Sequence, residues 1–215
     1  MSEYMGREKH IKMTVSETFD EVVAAGQKIQ LFNERTIQVK RPDRISVSVS
    51  GAGIQRRITC DGDNFTVVDL LKNVYATMPM KGSLDSVMDT LARQYGMAQP
   101  VEDLLYSDIN ARLAGKIQAG QFLGREKVAG HTCNHVAYKQ ADLSWQAWIE
   151  EGDKPVPWRL VISYDSAPGR PKYTLLITKF ETPILMPDEG FKAKLPDGAM
   201  LASMTSLTGQ ATGGQ

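Results

Sequence analysis

The sequence predicts a mainly β fold of the α+β kind, one large antiparallel sheet interrupted by a helical insertion. Three observations predict it. Apolar and polar residues alternate with period two over most of the chain, the pattern of half-buried strands. Turn residues separate the alternating runs, Arg41-Pro42-Asp43 and Asp61-Gly62-Asp63 among them. Between about residues 84 and 114 the period becomes that of a helix. The resulting order, β-run, α-insert, β-run, lacks the βαβ alternation of a doubly wound fold.

The first β-run starts at Ile11, Met13 and Val15 and continues through Ile37 and Val39. Its cleanest strand is RISVSVS, with Ile45, Val47 and Val49 on one face and Ser46, Ser48 and Ser50 on the other. Such a strand is buried on one side and wet on the other. Asp61-Gly62 is a two-residue hairpin signal, because glycine accepts the positive φ of a type I′ turn. Residues 53–60 and 64–69 therefore form a hairpin, with a further strand through Val74-Tyr75-Ala76. Leu84, Val87, Met88, Leu91 and Tyr95 recur at helical spacing, between Ser83 as N-cap and Gly96 as stop. A second helical segment starts near Pro100, and Ile109 with Leu113 extends it or forms a third. The second β-run is a meander over 119–128, 132–139, 143–150, 156–164 and 172–183. Residues 1–203 are expected to form a single domain and 204–215, ending TGQATGGQ, a disordered tail.

Composition narrows the function classes. Lys plus Arg and Asp plus Glu both number 25, so the formal net charge is zero. The broad attraction to nucleic acid that comes from displacing phosphate counterions is therefore absent. No apolar stretch reaches the length that crosses a bilayer. The N-terminus carries neither a hydrophobic signal core nor a lipobox cysteine, so no stable membrane anchor is expected. Cys60 and Cys133 have no CxxC neighbour. They are two buried thiols or a disulfide across the sheet, and only geometry decides which.

No catalytic motif stands out. There is no nucleophile elbow, P-loop or dinucleotide fingerprint. The carboxylate pairs Glu17/Asp20, Asp85/Asp89 and Glu150/Glu151 lack the apolar setting that would raise one pKa for acid–base work. His131 and His135 share a face of one strand but stand about 13 Å apart there, too far for one metal ion. No catalytic residue, metal site or cofactor is expected, and the protein is read as a non-enzyme. The aromatic cluster is more informative. Alternation puts Trp145 with Leu143, Ala147 and Ile149, sets Trp148 opposite, and aligns Trp158 with Leu160 and Ile162. These rings are core, or the wall of an apolar cavity.

The segment order also resembles a known superfamily, the periplasmic lipoprotein carriers of the LolA/LolB type. The resemblance rests on Val39-Lys40-Arg41-Pro42, on the Asp61-Gly62-Asp63 hairpin, and on the closing residues Phe191, Leu195, Pro196 and Gly198. Within it, the chain is similar to the DUF2092 group of predicted periplasmic proteins. That likeness is carried by GQKIQLF, RPDR, CDGDNFTVV, GHTCNH, WQAWI and PVPWRLVISY over roughly residues 12 to 200. The resemblance implies an incomplete β-barrel, or strongly curved sheet, whose concave face the insert covers. It also implies export to the periplasm by a signal peptide that this chain lacks. It implies an apolar cavity between sheet and helical lid that accepts a lipid or a lipoprotein acyl chain. Arg41 falls where the carriers use an arginine to bind lid backbone.

The candidate cavity residues are Trp145, Trp148, Trp158, Met80, Met88, Leu91 and Val47, with Arg41 as the lid contact. Methionines are soft enough to line an adaptable pocket, and equally serve as plain core. Two functions follow: a carrier for an apolar ligand, or a protein-interaction or sensor module of the same fold for a periplasmic partner.

Overall fold

A computed structural model describes residues 1–23 and 26–208. The strands, in chain order, are β1 (His10–Val22), β2 (Lys28–Lys40), β3 (Arg44–Gly51), β4 (Ile54–Asp61), β5 (Asn64–Asp69) and β6 (Val74–Pro79). They continue with β7 (Ala119–Val128), β8 (His131–Lys139), β9 (Ser144–Glu150), β10 (Pro157–Ser163), β11 (Lys172–Glu181) and β12 (Met200–Leu201). Their order across one 12-stranded sheet is β12-β6-β5-β4-β3-β2-β1-β11-β10-β9-β8-β7, so the sheet is not closed into a barrel. It is mixed rather than wholly antiparallel, because Met200 and Leu201 pair parallel to Val74 and Tyr75 of β6. Two residues returning after a long connection carry no alternation from which that strand could be read.

Contacts divide the chain into two units. The first comprises Met1–Arg7, Val15–Asn33 and Ser107–Lys179. Its meander turns from β7 to β8 at Ala129 and Gly130, both at positive φ (50° and 88°), as a type I′ hairpin requires. Cross-strand register then aligns Val136 with Ala147, Ala147 with Leu160, and Leu160 with Leu175, which makes one apolar face. Two short helices belong to this unit, α1 (Ser2–Arg7) and α3 (Ile109–Ala114). No periodicity predicts helix α1, because six residues are too few to show one. It packs on α3 with Met5 and Ile109 buried, and a Cβ on Gly6 would lie 2.2 Å from the Ser107 carbonyl oxygen. Only glycine permits that approach.

The second unit comprises Glu8–Thr14, Glu34–Tyr106 and the described part of the segment beginning at Phe180. Strands β3 to β6 form successive hairpins, as expected, with Gly62 at φ 98° in the β4–β5 turn. Val47, Ile58, Val67 and Ala76 pair across one face, and Ser46, Thr59, Thr66 and Thr77 across the other. The apolar side also buries an ion pair, Arg56 Nε to Asp69 Oδ2 at 3.1 Å, between directly paired residues of β4 and β5. Helix α2 (Leu84–Tyr95) starts at Ser83, whose side chain accepts from the Ser86 amide, and stops at Gly96 in the left-handed region. It buries Leu84, Val87, Met88 and Leu91, and a 3₁₀ turn at Pro100–Leu104 follows it.

The stretch expected as one insert, 84–114, is therefore shared: α2 and the 3₁₀ turn fall in the second unit, and α3 in the first. A further 3₁₀ turn at Asp188–Phe191 lies against β3 and β4 with Phe191 fully buried. The tail expected from residue 204 begins instead with a helix, α4 (Met204–Thr208), whose Leu207 is buried. Residues 209–215 of the expected tail lie outside the described residues.

Candidate functional site

Two aromatic triads occupy one face of the first unit. In one, Trp148 pairs directly with His135 across β8 and β9, and the rings stack with centroids 4.0 Å apart at 15°. Glu126 of β7 joins them: one oxygen accepts from the Trp148 indole N–H at 2.8 Å and the other meets His135 Nδ1 at 2.9 Å. His135 Nε2 lies 2.9 Å from the Gln146 amide oxygen, and the Arg159 guanidinium sits 4.7 Å from the Trp148 ring centroid. The indole donor, aided by His135 and Arg159, holds the Glu126 carboxyl below its ordinary range.

The second triad repeats the first one step along. Trp158 stacks on His131 with centroids 3.8 Å apart at 15°. Glu150 bridges them, accepting from the Trp158 indole at 2.8 Å and meeting His131 Nδ1 at 2.8 Å. This corrects the alternation that aligned Trp158 with Leu160. A register shift between Pro157 and Arg159 adds a residue to β10, and a bulge of that kind re-aims one side chain. Trp158 thereby joins Trp148, while Leu160 stays with Ala147 on the opposite face. The four polar members, Glu126, His131, His135 and Glu150, were not picked out as a site from the sequence. The signal that finds them is the Ala129-Gly130 hairpin: it fixes the register of β7 on β8, and so brings Glu126 across from the histidine strand.

Trp145 stands on the other face, paired with Tyr138 and Ile162 and stacked on Tyr138 with centroids 4.3 Å apart. Its indole Nε1 is buried and has no hydrogen-bond partner among the described residues. An orphaned buried donor costs about 1–3 kcal/mol.

The remaining expected residues lie in the second unit. Val47, Met88 and Leu91 are buried there, and Met80 is half-buried at the end of β6. Arg41, at the turn after β2, reaches two backbone oxygens: its Nε donates to Glu8 O at 3.1 Å and its Nη2 to Leu105 O at 2.6 Å. Beside it, the Leu84 amide donates to Pro42 O at 2.7 Å, which ties the start of α2 to the same turn. Cys60 and Cys133 are both free and buried, and burial raises both thiols. Among the described residues no cluster of three or more His, Cys, Asp or Glu side chains could hold a metal ion. None of their helices is long and apolar enough to cross a membrane.

Among solved structures, MucB matches with a TM-score of 0.52 at 14% identity, over 90% of this chain and 60% of MucB. The chain thus spans 60% of MucB's length, and the likeness shows a shared fold. A LolA superfamily protein from Nitrosomonas europaea matches at 11% identity and TM-score 0.44, over 89% of this chain and 96% of its own. The Mycobacterium tuberculosis lipoprotein LppX matches at 13% identity and TM-score 0.44, over 85% of this chain and 91% of its own. No curated protein matches. The family described as "Predicted periplasmic protein (DUF2092)" matches residues 1–204, and the chain belongs to that family.

Proposed function

We propose that the protein is a periplasmic, non-catalytic binding protein for an apolar ligand of the acyl-chain class, a lipid or the acyl chain of a lipoprotein. The observation that carries this reading is the Trp145 indole, a buried donor with no partner among the described residues, on the strand face it shares with Ala147, Leu160 and Ile162. A ligand that is mostly hydrocarbon and carries one ester or acid oxygen would satisfy the donor once the side chains covering it move aside, and would lie on the apolar residues beside it. Tyr138 and Ile162 flank Trp145 as apolar walls. The second unit is read by itself: there Met80, Met88, Leu91 and Val47 are apolar candidates of their own, and the Arg41 bond to Leu105 O is the latch on the helical segment. Trp148 and Trp158, on the opposite face, support the strands and do not contact the ligand in this reading.

The test is titration of delipidated protein with cis-parinaric acid, followed by energy transfer from tryptophan. Saturable binding is expected, weakened roughly tenfold in Trp145→Phe, which keeps a ring and loses about one hydrogen bond. Absence of saturation overturns the reading.

A second reading is favoured by the edge strand β7, where Phe122 and Leu123 are 60% and 45% exposed. An exposed apolar edge is a surface for pairing with another chain. MucB itself has been crystallised in complex with MucA. A protein-interaction module predicts silence toward parinaric acid and loss of partner binding in Phe122→Ser.

A further inference from the structure

A polar cleft of about 260 Å³ opens on the second unit. Ser46, Arg57 and Thr59 line it from β3 and β4, and Gly190, Lys192 and Lys194 line it from the closing segment. It lies on the hydroxyl-bearing face of these strands, opposite Val47. The same face shows how its polar groups behave elsewhere. Thr66 and Thr77, paired side by side, satisfy each other at 2.9 Å between their hydroxyl oxygens. Lys40 and Arg44 are both paired with Asp188.

The cleft residues are different. Among the described residues, no side-chain hydrogen bond or ion pair engages Arg57, Lys194, Ser46 or Thr59. Lys192 alone is paired, with Glu189 at 2.6 Å. Glu34 borders a neighbouring cleft of about 210 Å³ that shares Arg57, but it forms no ion pair with it. Two cations and two hydroxyls thus face one concavity with their donors open. A guanidinium, an ammonium and hydroxyls approaching from two elements suit a phosphate ester, whose tetrahedrally disposed oxygens accept from several directions at once. A planar carboxylate presents both of its oxygens in one plane. The volume exceeds that of a bare ion and leaves room for the group that carries it.

We infer that this cleft binds a small phosphate monoester or diester, held by Arg57 and Lys194 with the Ser46 and Thr59 hydroxyls. The ligand is either a free phosphorylated metabolite or the headgroup of a phospholipid, and the same chemistry recognises both.

The experiment uses the whole chain and two probes: sn-glycerol 3-phosphate in calorimetry, and vesicles of phosphatidylglycerol in phosphatidylcholine in co-sedimentation. At least one probe is expected to bind. Its binding should weaken tenfold or more in Arg57→Ala and in Lys194→Ala, and recover in part in Arg57→Lys. Lys127→Ala, which removes one positive charge from the first unit, should bind as the parent does. Dependence on Arg57 with the soluble probe identifies a free ester, and with the vesicles alone a headgroup. Binding of neither probe overturns the inference, and so does binding that Arg57→Ala leaves unchanged or that Lys127→Ala weakens equally. Thermal unfolding of each variant checks that the fold is retained.

Discussion

The two triads of the first unit use the same three residue types and divide burial between them in opposite ways. In the Trp148 triad the histidine side chain is 10% exposed and the carboxylate 52%. In the Trp158 triad the figures are 35% and 26%. The stacking and bridging distances are nearly equal, so geometry does not separate the two. What differs is which partner gives up its water. His135 is enclosed by Trp148, Glu126 and Gln146, whereas His131 stands at the start of β8 with its ring partly wet. Deleting the enclosed ring leaves a void against Trp148, whereas deleting the wet one lets solvent take its place. The pair teaches that one motif can serve as core in one place and as surface in the next.

Three measurements break or sharpen that contrast. The largest effect is expected from Trp148→Ala, a loss of about 3–5 kcal/mol in urea unfolding, because a large buried ring is removed and both Glu126 and His135 lose a partner. Next, His135→Ala should cost about 2 kcal/mol and His131→Ala about 1 kcal/mol or less. Equal losses would end the distinction between the triads. The smallest effect is electrostatic. Carboxyl NMR should show Glu126 titrating below the ordinary glutamate value, and Trp148→Phe should move it upward by removing the indole donor. Because the folded value is depressed, the stability it contributes is present above the ordinary glutamate pKa. It is lost as pH falls through the folded value.

Much of this was legible from alternation and turn chemistry, and the failures share a cause. The hairpin at Asp61-Gly62, the helix from Ser83 to Gly96 and the meander after residue 119 are local: their signals lie within a few residues of one another. Alternation alone puts Trp158 with Leu160 because nothing in Pro157-Trp158-Arg159 announces the extra residue that turns Trp158 to the other face. The triads required register between strands, which a run-by-run reading does not supply. The cleft required more still, since Ser46 and Lys194 meet only through the tertiary path of the closing segment. Helix α4 escapes a local reading for the same reason: its five residues are too few to show a period, and Leu207 is buried only in the tertiary fold.

The two buried thiols have a consequence for how such a chain matures. A periplasmic compartment oxidises accessible cysteines, and a chain with two of them can be trapped in a crosslink before it folds. Cys60 and Cys133 escape this in the finished protein, because burial keeps each in the protonated form that exchanges slowly with disulfides. Their safety is therefore acquired during folding. Closure of β4 and β8 sets the time during which a newly exported molecule is open to oxidative damage.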